Sequence, residues 1–81
     1  MNKNILTLDK ISVGNKAKII KINSNTEIKR RLLDLGITPN SIIKSEFKSP
    51  FNDPVAYLIR GTTIALREED AKNIIVEPYY E

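Results

Sequence analysis

Eighty-one residues, 41% of them hydrophobic, suffice for one small core, and a chain this short buries only about 60% of its unfolded surface. Cysteine and histidine are both absent, which excludes disulfides, thiolate chemistry, the commonest metal ligand and the usual neutral-pH proton shuttle. The net charge of +3 splits into +6 through Leu66 (eleven basic against five acidic) and −3 beyond it (two against five); a basic body with an acidic tail suits an acidic protein surface, nucleic acid or anionic lipid.

Met1-Asn2-Lys3-Asn4 leads into Ile5-Leu6-Thr7-Leu8-Asp9, which is too short and too soon interrupted by charge for a secretory signal. No apolar run approaches the roughly 20 residues needed to span a bilayer, so the expectation is a soluble, cytoplasmic protein. Leu6, Leu8, Ile11 and Val13 are spaced irregularly and read as a turn-like lid over one end of the core, with Gly14-Asn15 turning into a first strand around Lys16–Ile22. A helix over residues 25–35 follows. Ser24 and Glu27 have capping-box spacing, with Asn25 as the rival cap. Ile28, Leu32 and Leu35 make an apolar stripe that Leu33 widens. Gly36 fits a left-handed stop, with Ile37 reaching back to Leu32 as in a Schellman motif, and Pro39 prevents the helix from resuming.

Ile43, Ser45 and Phe47 alternate with Lys44, Glu46 and Lys48 in a half-buried strand. Residues 49–54 are a breaker-rich turn. Val55, Tyr57 and Ile59 mark a third strand, and Gly61-Thr62 a tight hairpin into a fourth over residues 63–67. Glu68-Glu69-Asp70-Ala71-Lys72 reads as a charged helical turn. Ile74-Ile75-Val76 is a short last strand, after which Pro78-Tyr79-Tyr80-Glu81 trails off. About five strands and one inserted helix predict a single mainly-β domain over residues 1–81 with its core in residues 6–77: a partly open SH3-like barrel, with an OB-type barrel as the structural rival.

Arg31-Leu32-Leu33-Asp34-Leu35-Gly36-Ile37-Thr38-Pro39 resembles the signature of FeoA-type proteins, small cytoplasmic components of bacterial ferrous-iron uptake systems. Asp53-Pro54, Ile59-Arg60-Gly61, Ile64-Ala65-Leu66-Arg67, Ala71 and Ile74-Ile75-Val76 resemble the rest of that pattern in order. Two positions depart from it: Asn40 and Asn52 stand where the family usually or often has glycine. Asparagine is the non-glycine residue that best tolerates positive φ, so both keep the backbone requirement. The resemblance implies an SH3-like barrel acting with a large membrane iron transporter that carries a cytoplasmic GTP-binding domain. Similar domains also occur fused to the ends of iron- or manganese-responsive repressors.

No motif calls for catalysis, a cofactor or a metal. Glu68, Glu69 and Asp70 are consecutive and diverge around a helical turn, so they cannot converge on one ion; they suit the helix N-terminus instead. Asp53-Pro54 is explained by turn chemistry. The candidate partner-binding residues are Lys29, Arg30, Arg31, Ile37, Thr38, Pro39, Asn40 and Phe51: a basic helix face, the helix end, and an aromatic in a turn that does not need one. Phe51 is either a plug over the barrel or an interface anchor. Leu58, Tyr79 and Tyr80 are also expected at the surface. Arg30, Arg31 and Arg60 are formal candidates for an arginine finger into a GTPase site.

The favoured function is a non-catalytic accessory module docking on the transporter's cytoplasmic part. The alternatives are a regulatory module like those of the repressors, or a nucleic-acid-binding barrel. The last is disfavoured because the two candidate stacking residues, Phe47 and Tyr57, are both expected in the core. An exposed barrel edge also leaves room for weak self-association.

Overall fold

The computed structural model describes residues 5–80. Six antiparallel strands, β1 (Leu6–Thr7), β2 (Lys16–Ile22), β3 (Ile42–Lys48), β4 (Val55–Ile59), β5 (Thr62–Leu66) and β6 (Ile74–Tyr79), form one sheet in the order β1-β6-β2-β3-β4-β5. Helix α1 (Thr26–Asp34) is inserted between β2 and β3, and a single-turn helix α2 (Glu68–Ala71) joins β5 to β6. The architecture is the mainly-β, SH3-like one expected, with one more strand. The extra strand is β1, whose two residues pair with Val76 and Ile75 of β6. Two residues cannot show an alternating pattern, so the segment reads as lid. Its continuation, a 3₁₀ turn over Leu8–Lys10, does cover the core: Leu8 is fully buried and Ile11 nearly so.

Two β-bulges bend the sheet around its core. In the β2–β6 ladder Ile19 faces Val76 and Lys21 faces Ile75, leaving Ile20 as the extra residue. In the β3–β4 ladder Ser45 faces Tyr57 and Phe47 faces Ala56, leaving Glu46 extra. A bulge reverses the inward–outward parity beyond it and deepens the local twist. β2 therefore buries Ala17 and Ile19 before its bulge and Ile22 after it. In β3, Ile43 and Ser45 face inward, but Phe47, expected beside them, is turned to the outer face and is 59% exposed.

Helix α1 is capped by Asn25, whose side-chain oxygen accepts from the Ile28 N–H at 3.0 Å. Its end is a full Schellman motif. The Ile37 N–H donates to the Leu32 carbonyl, the Gly36 N–H donates to that of Leu33, and Gly36 has φ 95°. Only Leu32 of the helix is buried, with Ile28 packed at the core margin, while Leu33 and Leu35 are exposed. The apolar stripe is narrower than its periodicity predicts because one helix over one barrel end meets the core along a single line. The β4–β5 hairpin turns at Arg60-Gly61, with φ 52° and 79°, and Ile59 pairs Thr62. This is a two-residue type I′ turn, one position earlier than expected. β6 runs through Pro78 to Tyr79, so the C-terminal residues expected to trail off extend the ladder, Ala17 facing Pro78 and Lys16 facing Tyr79.

Candidate docking surface

The expected partner-binding residues divide between the two ends of β3. At its start lies the turn out of α1. Asn40, at φ 73°, donates its N–H to the Ile19 carbonyl, and the Ser41 carbonyl accepts from the Ile19 N–H. The left-handed residue thus turns the chain directly into the β2–β3 ladder. Pro39 and Asn40 are exposed and Thr38 half-buried. Ile37 is fully buried in the core. Ile37, expected at the surface of the helix end, is drawn inward by its own Schellman motif, in which its N–H donates to the Leu32 carbonyl.

One residue absent from the expected surface joins this end. The Arg60 guanidinium donates to the hydroxyls of Thr38 at 2.9 Å and Ser41 at 2.8 Å, which are themselves 2.7 Å apart. Arg60 ties the β4–β5 hairpin to the helix end, passing over the bare Cα face of Gly36, where an added Cβ would lie 4.0 Å from the arginine Cδ. The available signal was the left-handed turn position, which aims Arg60 back across the β3–β4 pair toward the loop before β3.

On α1, Lys29 and Arg30 are exposed and make no ion pair among the described residues. Arg31 behaves differently: its guanidinium donates to the Asp70 carboxylate at 2.8 Å and links α1 to α2. Glu27 and Asp34 stand at helical spacing from Arg31, yet the contact formed is this one across the fold. Two of the three finger candidates, Arg31 and Arg60, are therefore committed to internal contacts. Arg30 lies with Thr26, Glu27, Arg31 and Asp34 along an open groove on the outer helix face.

Phe51 stands at the other end. β3 carries six residue steps between Ile42 and Lys48, roughly 20 Å at the rise of a strand, so Phe51 and the α1 end do not form one patch. Phe51 is 88% exposed, which overturns the plug alternative. Asn52 takes φ 67°, and Asp53 accepts from the Glu68 N–H at 2.8 Å, with Arg67 within 3.9 Å. Asp53 thus supplies the side-chain cap of α2 from another loop. Nearby, Tyr57 is buried and its hydroxyl pKa is pushed up to about 12, by burial first and then by the carboxylates of Asp9 and Asp53. Tyr57 borders a small cleft with Asp9, Lys48, Asn52 and Glu68. Among the described residues no three His, Cys, Asp or Glu side chains gather as a metal site, and no helix is long and apolar enough to cross a membrane.

The sequence profile of the FeoA domain family matches residues 6–78. A Porphyromonas gingivalis protein described as a Fe(2+) transport protein A/Fe(2+) transporter FeoB fusion is 31% identical over 72 residues, covering 89% of this chain and 8% of that much longer protein. The structure of a FeoA-like protein from Clostridium acetobutylicum superposes with a TM-score of 0.88 at 34% identity, over 100% of this chain and 93% of that one. The Stenotrophomonas maltophilia FeoA, solved with zinc and described as a procaryotic SH3 domain protein, superposes at 0.79 with 26% identity over 89% of each chain. The chain belongs to the FeoA domain family.

Proposed function

We propose that this FeoA-domain chain is a non-catalytic accessory module of a bacterial ferrous-iron uptake system. It works in the cytoplasm, docking on the GTP-binding part of the membrane transporter to modulate transport or assembly. The observation that carries the reading is the fused relative, in which a segment similar to this chain is continuous with an iron transporter. Fusion holds two modules at effective concentrations of order millimolar, an arrangement suited to parts that work in contact.

The docking face is the exposed side of α1 and the turn that follows it: Lys29, Arg30, Thr38, Pro39 and Asn40, with Arg60 holding the turn in place. Unpaired cations on a convex helix face speed encounter with an acidic partner more than they add affinity. Binding of the purified chain to the transporter's cytoplasmic GTP-binding domain, measured by biolayer interferometry at low salt, tests this. We expect a micromolar complex weakened at least tenfold by the double change Lys29→Glu, Arg30→Glu. Absence of any binding at low salt would count decisively against the docking role.

One observation favours a second reading. Phe47 and Phe51 are exposed near Lys48, and aromatics beside cations are what single-stranded nucleic acid stacks on. Fluorescence anisotropy with a labelled oligonucleotide at low salt separates the two; no shift disposes of this reading.

A further inference from the structure

The sheet ends on β5, and we propose that this edge pairs antiparallel with β5 of a second copy, through one register that the strand's own geometry selects. β5 is hydrogen-bonded to β4 on one side and has no strand on the other. None of its backbone groups enters a turn, loop or cap bond among the described residues. Its sequence, Thr-Thr-Ile-Ala-Leu, holds no charge, no proline and no bulge, the devices that normally blunt an exposed edge. The opposite edge, β1, is two residues long and offers little to pair with.

The register follows from the type I′ turn. Ile59 and Thr62 close a two-residue loop, so they exchange hydrogen bonds, and bonded and non-bonded pairs alternate from there. Thr62, Ile64 and Leu66 spend their N–H and C=O groups on β4. Thr63 and Ala65, opposite Leu58 and Ala56 in non-bonded pairs, aim theirs outward. An antiparallel partner satisfies all of these outward groups only where Thr63 meets the second copy's Ala65 and Ala65 its Thr63. Ile64 then faces its own counterpart across the two-fold axis. A shift by one residue would set outward groups against groups already spent.

The paired residues themselves, Thr62 to Leu66, carry no charge, so this register brings no like charges together within the ladder. The joined sheets would also set Thr63 beside the outer-face row of Phe47, Ala56 and Ala65. The ladder is short, and the complex belongs to the weak, transient class of small interfaces.

The absence of native cysteine makes the register directly readable. Non-bonded partners across an antiparallel pair have Cα atoms about 4.5 Å apart, within disulfide range. Under mild oxidation Ile64→Cys should cross-link at least tenfold faster than the distant control Lys29→Cys. Adding Thr63→Lys, which brings a charge to the edge, should abolish that advantage. In the unaltered chain, sedimentation should show a monomer–dimer equilibrium between 10 µM and 1 mM. Amide exchange at Thr63 and Ala65 should slow as concentration rises, while that of the β4-bonded Ile64 stays slow throughout. Cross-linking at the control rate, a monomer across the whole range, or fast exchange at both outward amides at 1 mM would overturn the proposal. Concentration-dependent association with those amides still exchanging fast would assign self-contact to another face and equally overturn it.

Discussion

Asn40 and Asn52 do with side chains what the family pattern does with glycine: both hold left-handed backbone, at φ 73° and 67°. The requirement at Asn40 is set by its N–H reaching the Ile19 carbonyl at 2.7 Å, so it belongs to folding before any docking role. Asn40→Gly should leave the melting temperature nearly unchanged, whereas Asn40→Val should lose about 1–2 kcal/mol, the cost of placing a Cβ-branched residue in that region; urea denaturation of both measures the difference. Tyr57 gives a second test at this scale. Its hydroxyl pKa is raised to about 12 in the fold, against about 10 in an unfolded chain. The neutral form is the stable folded form, so its contribution is complete below pH 10. Above that the unfolded chain releases its proton first, and stability falls until the pH passes 12. The loss specific to this group is on the order of 2–3 kcal/mol. Tyr57→Phe should flatten that part of the alkaline denaturation profile; identical slopes for the two proteins would show that the hydroxyl is not so shielded.

Elements were legible in the sequence where local chemistry decides them. The Gly36-Ile37 stop of α1 and the alternation of β4 need no knowledge of the rest of the fold, whereas the capping-box spacing of Ser24 and Glu27 points one residue away from Asn25, the cap that forms. Legibility failed where a partner strand or helix decides. The bulge at Glu46 is set by how β3 and β4 align, and without it Phe47 reads as core. The same dependence hid three features of the surface: β1 exists because β6 pairs with it, Arg31 turns to Asp70 on α2, and Arg60 reaches Thr38 and Ser41 across the β3–β4 pair. Asp53 belongs to this class as well. In the sequence it is a turn residue before proline, and in the fold it caps α2, accepting the Glu68 N–H from fifteen residues away. Loss of a side-chain cap costs about 1 kcal/mol. Asp53→Ala should therefore lower stability by that amount, while Asp53→Asn, which keeps an acceptor, should recover most of it. Equal losses in the two variants would assign the cost to the carboxylate charge beside Arg67 instead.

At the scale of the molecule, the two ends of the barrel differ in chemistry. One gathers Lys29 and Arg30 with the polar turn of Thr38, Asn40 and Arg60; the other presents Phe47 and Phe51 beside a carboxylate-lined cleft. Roughly 20 Å of strand separates them, and exposed charges that far apart are screened from one another at 0.1 M salt, where the Debye length is about 10 Å. Substitutions at the two ends should therefore act independently on a partner. If the basic end docks, Lys29→Glu with Arg30→Glu should slow association with the transporter's cytoplasmic domain about tenfold in low salt, and the gap should nearly close by 1 M, where screening is about 3 Å. Phe51→Ser should leave that salt dependence intact and the melting temperature unchanged, since a side chain 88% exposed supports little of the core. Association rates across a salt series for both variants decide the matter. A larger effect from Phe51→Ser than from the charge reversal would move the docking face to the opposite end of the barrel.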